Sequence, residues 1–214
     1  MKPVRIASEG YPFIAGLGTA AVVFFATRHP AGYAAGGVSL VLTMFCLFFF
    51  RDPERHPVQD PRAVIAPGDG RIMEVTEETH PMTGGRVKVV RIFLSIFDVH
   101  VQHSPIAGKV ARIEYKKGRF LDARDPRAAH ENESNSILIE NERMKVVVKQ
   151  IAGLIARRIV CHVRLGQELR TGQKLGLIRF GSQVDVYLPM DMEVCVAPGE
   201  RVVSGVSLLA MSKK

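Results

Sequence analysis

Two long apolar stretches open the chain. Residues 11–27 and 31–50 carry no charged side chain, and only Arg28, His29 and Pro30 separate them. Crossing a bilayer takes roughly 20 apolar residues, with about 17 at the lower end. The pattern predicts an N-terminal apolar helical hairpin over residues 1–50. The run Cys46-Leu47-Phe48-Phe49-Phe50 is apolar on every face, which favours lipid over a protein core as its surroundings. Lys2 and Arg5 precede the hairpin, and Arg51 and Arg55 follow it. Basic residues stay on the cytoplasmic side, so both ends are expected there, on the inner face of a cell membrane. A cleaved signal peptide fits less well, because the second run abuts the following domain without a small-residue cleavage site. The pattern leaves open whether the hairpin spans the bilayer or only inserts in it.

Residues 51–62 read as a linker, with Pro53, Pro57 and Pro61 excluding both a helix and a central strand. From residue 63 to 214 the pattern changes to short Val- and Ile-rich segments bounded by Gly, Pro or Asn, which predict strands. These are residues 71–75, 87–96, 109–115, 136–140, 145–151, 159–163, 174–179, 184–187 and 193–196, with a short helical turn over 153–158. An internal echo runs through the later part. Gly166-Gln-Glu-Leu-Arg-Thr-Gly172-Gln-Lys-Leu175 matches Gly199-Glu-Arg-Val-Val-Ser-Gly205-Val-Ser-Leu208 as Gly-x-x-(Leu/Val)-x-x-Gly-x-x-Leu. Glycine supplies the positive φ of tight turns. Lipoyl and biotinyl domains resemble this pattern, two related halves of a flattened barrel. The fold expected is therefore mainly β, a lipoyl/biotinyl-like β-barrel sandwich behind an apolar helical hairpin.

The chain has 214 residues, enough for one such domain and an appendage, with a formal net charge of +8. A basic protein seeks anionic partners such as an acidic membrane surface or an anionic substrate. Nucleic acid is disfavoured, since there is no Trp and no Lys/Arg run interleaved with aromatics. Cys46, Cys161 and Cys195 fit neither a metal pair nor a disulfide framework and read as reduced, small buried hydrophobes.

Candidate chemistry gathers at three places. Phe180-Gly181-Ser182 lies between two apolar strands, where glycine is disfavoured unless something approaches the backbone closely. Ser182 can attack the carbonyl carbon of Gly181, which has no side chain to obstruct it. The result is an ester, whose β-elimination frees the upstream chain and leaves a dehydroalanine that hydrolyses to a pyruvoyl group and ammonia. Serine needs a base for this. His100 and His103 supply candidates. Three apart on a strand they point to opposite faces, which argues against a shared metal, and no metal is expected. Asp69, in Ala66-Pro67-Gly68-Asp69-Gly70, is the candidate orienting carboxylate. A Pro-Gly-Asp-Gly turn is also common as a plain turn, and either histidine taken alone reads equally well as an ordinary polar residue.

Taken together, Ala66-Pro67-Gly68-Asp69-Gly70, His100-Val-Gln-His103-Ser-Pro105 and Phe180-Gly181-Ser182 resemble phosphatidylserine decarboxylase in its short bacterial and archaeal form. Ala156-Arg157-Arg158-Ile159-Val160 and Val184-Asp185-Val186-Tyr187-Leu188-Pro189 are similar to that family as well. The resemblance runs from about residue 51 to the C-terminus. It implies self-cleavage between Gly181 and Ser182 into a large chain 1–181 and a small chain 182–214 that stay associated. It matches Asp69 and His103 to the self-cleavage triad, Ser182 to the serine that becomes the covalent pyruvoyl cofactor, and His100 to the histidine implicated in decarboxylation. The implied reaction converts membrane phosphatidylserine to phosphatidylethanolamine through a Schiff base with the pyruvoyl ketone. Self-association into a homo-oligomer is compatible with it. Gln183 stands where Thr, Ser or Arg is more usual, and Asn132-Glu133-Ser134-Asn135 replaces Asn-Glu-Arg-Asn. Two other readings are carried alongside: a membrane-anchored lipoyl-like adaptor or carrier, and a pyruvoyl decarboxylase of a soluble amino acid.

Overall fold

The computed structural model describes residues 5–154, 158–179 and 182–213. Two compact units divide the chain, Met1–Glu54 and Arg55–Lys214. In the first, β1 (Arg5–Ile6) pairs with β2 (Arg51–Asp52), and between them run helices α1 (Tyr11–Ala26) and α2 (Pro30–Phe49). Proline at each helix start fits a position whose N–H has no partner within the helix. The turn between the helices is tight, with Arg28 at φ 53°. Gly32 lets the helices approach, because a Cβ there would lie 1.9 Å from Thr27 Oγ1. Val22, Val23, Val38, Val41 and Met44 point outward and are more than half exposed.

The second unit is built from β3 (Ala63–Ile65), β4 (Gly70–His80), β5 (Gly85–Leu94), β6 (Val101–His103), β7 (Gly108–Lys116), α3 (Ala128–Glu131), β8 (Ser134–Glu140), β9 (Lys145–Ala152), β10 (Ile159–Cys161), β11 (Glu168–Leu169), β12 (Lys174–Ile178), β13 (Ser182–Leu188), β14 (Met192–Val194), β15 (Arg201–Val202) and β16 (Leu208–Ser212). Eight strands form one antiparallel sheet in the order β11-β7-β8-β9-β13-β5-β4-β15, curled into a half-barrel. Two three-stranded sheets, β10-β12-β6 and β14-β16-β3, complete the unit. Strand alternation sorts the residues of β13. Val184, Val186 and Leu188 join a core with Ile72, Ile92, Leu94, Ile137 and Ile139. Tyr187 joins a separate cluster with Val89, Leu138 and Val147. Each such buried aliphatic side chain stabilises the fold by about 1.5–3 kcal/mol.

The Val- and Ile-rich segments are strands, and several are longer than their apolar parts. β4 continues through Thr76-Glu-Glu-Thr-His80 because this polar stretch pairs with β5. Arg86 reaches Glu77, and Arg91 reaches Glu74 and Glu78, across that hairpin. The two-residue strands β11 and β15 are too short to show a period. The turn expected over 153–158 includes 155–157, which lie outside the described residues. Two cysteines differ from expectation. Cys46 is buried, but Cys161 and Cys195 are exposed, because Cys161 ends and Cys195 directly follows a short strand outside the main sheet.

The echo corresponds to a pseudo-symmetric pair of turns. Gly166, Gly172, Gly199 and Gly205 all have φ between +73° and +91°. Gly166 N–H donates to Val110 O and Gly199 N–H to Ile72 O, both at 2.8 Å. Gly172 N–H donates to Ser104 O and Gly205 N–H to Ala66 O, again both at 2.8 Å. The partners reveal a second repeat, Ala66-Pro67-Gly68-Asp69-Gly70 against Ser104-Pro105-Ile106-Ala107-Gly108. Its halves interlock reciprocally, with Ile65 N–H on Pro105 O at 3.1 Å and His103 N–H on Pro67 O at 2.9 Å. In this pairing Asp69 corresponds to Ala107, His103 to Ile65 and Ser204 to Thr171.

Candidate functional site

Ser182 opens β13 at the centre of the eight-stranded sheet, with Leu94 of β5 and Ala152 of β9 as its Cα partners. It is fully buried, and its Oγ has no hydrogen-bond partner among the described residues. Leaving a buried polar group unpaired costs about 1–3 kcal/mol, so such a hydroxyl calls for an explanation. Phe180 and Gly181 lie outside the described residues. Gly68 reaches the same level of the sheet. A Cβ there would meet Leu94 at 3.5 Å and Val184 at 3.7 Å. The turn carrying Asp69 therefore packs on the strands that hold Ser182.

Asp69 is held from two sides. Arg55 Nη2 donates to both carboxylate oxygens at 2.9 and 3.0 Å, and Ser204 N–H donates to Oδ1 at 2.7 Å. Burial pushes the Asp69 carboxyl up, and the Arg55 guanidinium and the Ser204 N–H oppose that. The carboxylate of Asp98 adds to the upward push.

His103 ends β6 and meets the same residue. Its Nδ1 lies 2.8 Å from Ser204 Oγ, which lies 2.7 Å from Pro67 O. A carbonyl only accepts, so the Ser204 hydroxyl donates to Pro67 and accepts from His103 Nδ1–H. This network assigns neutral His103 to the tautomer with its lone pair on Nε2. Asp69 and His103 thus converge on Ser204. Neither Ser204 nor Arg55 stands out in the sequence, because their partners lie 135 and 14 residues away in chain order.

His100 precedes β6 by one residue and is buried. β6 pairs with β12 through Val101↔Leu177, which sets His100 at the end of β12 from which the chain continues toward Ser182. His100 Nδ1 lies 2.9 Å from Asp98 O, again an acceptor only, so Nδ1 carries hydrogen and Nε2 is the exchangeable position. Asp98 is itself fixed by Ser95 N–H and by Arg201. A chain of buried amides supports the segment. Asn135 donates to Gln150 at 2.9 Å, Gln150 to Gln102 at 2.9 Å, and Gln102 to His100 O at 2.7 Å.

The opposite face of β13 carries a second polar cluster. Asp185 is fully buried and is the Cα partner of Arg91 on β5 and Lys149 on β9. Gln183 Nε2 donates to Asp185 Oδ1 at 2.6 Å, Arg91 Nε lies 3.5 Å from Oδ2, and Lys149 Nζ donates to Ala129 O at 2.6 Å. Burial holds Lys149 below the usual range for lysine, while the Asp185 carboxylate pulls it back up. Among the described residues no group of three or more His, Cys, Asp or Glu is arranged to hold a metal ion.

Comparison with known proteins adds the following. The sequence profile of the phosphatidylserine decarboxylase family matches residues 42–210. A phosphatidylserine decarboxylase proenzyme of Geobacter metallireducens is 46% identical over 209 residues, covering 96% of both chains. One of Magnetococcus marinus is 44% identical over 215 residues, covering 99% of this chain and 97% of the relative. One of Citrifermentans bemidjiense is 42% identical over 210 residues, again covering 96% of both.

Proposed function

This chain belongs to the phosphatidylserine decarboxylase family, and from that premise we propose how its own residues process the proenzyme and decarboxylate the lipid. The observation that carries the reading is the buried Oγ of Ser182, without a partner among the described residues, beside the turn that ties Asp69, Ser204 and His103 together. His103, with its lone pair on Nε2, takes the hydroxyl proton. The Ser182 oxygen attacks the Gly181 carbonyl carbon, and the peptide nitrogen leaves as the amine of residue 182. Loss of the Ser182 Cα proton then breaks the new ester, giving a large chain with a C-terminal carboxylate at Gly181. The dehydroalanine left at position 182 takes up water and releases ammonia. The Ser182 oxygen departs in that carboxylate and a methyl group remains at its Cβ, so the processed chain has no hydroxyl proton to satisfy at this buried position.

The pyruvoyl group supplies the electron sink for the carbanion left when carbon dioxide departs. His100, held by Asp98 O through Nδ1–H, returns a proton from Nε2 to that carbon. Phe97 and Leu154, 65% and 62% exposed, lie on the loops that leave β5 and β9 beyond Leu94 and Ala152. They give the Ser182 end of the sheet an apolar rim suited to a lipid. The adaptor and soluble-substrate readings give way to this one.

The same premise supports the finer architecture. The two interlocked turns are those of a lipoyl/biotinyl-like barrel sandwich built as two halves. The fragments 1–181 and 182–214 stay together, because β13 pairs with β5 and β9, β15 with β4, and β16 with β3. Dissociation would leave those ladders unpaired. Ser8–Ala26 and Pro30–Phe49 are long and apolar enough to cross a membrane. With Arg51 and Arg55 beyond them, they form an anchor that keeps residues 63–214 on the cytoplasmic face. The test is decarboxylation of phosphatidylserine vesicles by the purified chain. Phosphatidylethanolamine and carbon dioxide are expected in equal amounts from the wild type and neither from Ser182→Ala. Product formation by Ser182→Ala would overturn the reading.

A further inference from the structure

The pseudo-symmetry of the barrel separates what its turns need for folding from what they carry for chemistry. Both turns use the same backbone scheme: a Pro carbonyl accepting from the opposite half, and a positive-φ glycine donating to the residue before that proline. The Pro105 turn makes these bonds with Ala107 where the Pro67 turn has Asp69. The carboxylate is therefore not required to build the turn. The mates of His103 and Ser204 are Ile65 and Thr171, and the linker differs in the same sense. Pro57 covers Gly172, where a Cβ would lie 2.6 Å away, whereas Arg55 covers Gly205, where a Cβ would lie 3.2 Å from Arg55 Cβ. Around Ala107 and Thr171 the surface opens into a cleft of about 160 Å³ that also takes in Gln59, Asp60 and Pro61. Around Asp69 and Ser204 the equivalent positions are filled by a hydrogen-bonded set. Arg55, Asp69, Ser204 and His103 thus form a chain that exists in one half only.

We propose that Arg55 and Ser204 are positioning residues for self-cleavage, Ser204 fixing the His103 ring through Nδ1 and Arg55 holding Asp69 as a carboxylate against the Ser204 backbone. The inference rests on the reading of His103 as the base and Ser182 as the nucleophile. Ser204 accepts from Nδ1–H and so directs the basic lone pair of Nε2 away from Pro67. Its backbone N–H is in turn held by Asp69, which locates the hydroxyl. Asp69 thereby orients the base through an intermediary. Arg55 is the cation that stabilises this half-buried carboxylate. Asp98 from the loop after β5 acts in the opposite direction, while Ser204 N–H donates to the carboxylate from the turn before β16 and His103 of β6 meets the Ser204 hydroxyl.

The experiment follows cleavage of the newly made full chain over time, from pH 5 to 9, by gel and intact mass. Ser204→Ala is expected to slow cleavage about ten- to a hundredfold, and Ser204→Thr to restore it to within a few-fold. Threonine is the residue the other half accommodates at this position. A purely packing role would not separate Ala from Thr in this order, because the added methyl group would make Thr the worse variant. Arg55→Met leaves Asp69 without its cation, so the fall in cleavage rate on the acid side should move up by roughly one pH unit. Arg55→Lys should leave that limb near its wild-type position. Asp69→Asn and His103→Ala, run alongside, separate the two levels. Normal cleavage in those variants overturns the assignment of the base itself. If they stall while Ser204→Ala and Arg55→Met cleave like the wild type, only the positioning role is overturned. Should Ser204→Ala fold poorly, the Ser204→Thr rate and the two Arg55 pH profiles still decide the matter.

Discussion

His103 donates its backbone N–H to the carbonyl of Pro67 at 2.9 Å, while its side chain reaches the same carbonyl through Ser204. Backbone and ring of the proposed base are thus both referenced to the turn that bears Asp69. Asp69→Asn and His103→Ala are accordingly expected to accumulate uncleaved chain. Loss of a residue that acts in such a unit commonly costs several orders of magnitude in rate. Quantifying the intact and cleaved bands after a fixed incubation checks this, and normal cleavage in either variant would refute its role.

His100 is expected to behave differently. Its Nδ1 is held by Asp98 O and it has no part in the Ser204 network described above, so His100→Ala should still cleave, at least in part, yet decarboxylate poorly. Turnover is to be measured per cleaved chain. Complete failure to cleave would place His100 in processing instead.

Gln102 links the buried amide chain to the His100 backbone. Gln102→Leu would leave Gln150 and the His100 carbonyl without this partner, at about 1–3 kcal/mol per group. A lowered thermal midpoint together with reduced turnover per cleaved chain is the expected result. An unchanged midpoint would mean that the groups find other partners.

Asp185 compensates two cations on adjacent strands, Arg91 and Lys149. Removing one partner of a buried ion cluster leaves uncompensated charge, so Asp185→Leu is expected to destabilise the fold by about 3 kcal/mol. Denaturant unfolding measures it. Adding Lys149→Met to Asp185→Leu should recover part of that loss, and full additivity of the two would contradict the coupling.

Much of this organisation is legible in the sequence. The apolar runs mark α1 and α2, and the echoed glycines mark four positive-φ turn positions, because both depend on local rules of length and backbone conformation. The partner repeat is far less visible. Pro67-Gly68-Asp69-Gly70 and Pro105-Ile106-Ala107-Gly108 share only Pro and Gly, and their likeness emerges from reciprocal hydrogen bonds. Ser204 and Arg55 are silent in the sequence for a related reason. A serine before a turn glycine and an arginine in a Pro-rich linker are ordinary until the fold brings them to Asp69. The exposure of Cys161 and Cys195 likewise depends on which strands lie outside the main sheet, and apolar patterning over three residues does not encode that.

The linker residue Arg55 makes the start of the chain a test of the anchor. A chain beginning at Asp52 keeps Arg55 and should self-cleave while losing most membrane attachment. Its activity should fall far more on bilayer phosphatidylserine than on a short-chain, water-dispersed analogue, since an anchor acts by raising local substrate concentration. A chain beginning at His56 should in addition show the upward-shifted acid limb of cleavage expected for Arg55→Met. Equal loss on both substrates would mean that residues 1–51 help to build the active site.

The central claim, that Ser182 is consumed to make the reactive group, is tested most directly by the intact mass of the purified, active protein. The expected spectrum has two components, residues 1–181 ending in a free carboxylate and residues 182–214 lighter by one ammonia than a chain with an N-terminal serine. A single uncleaved chain in a fully active preparation, or a small fragment retaining its serine amine, would contradict the account.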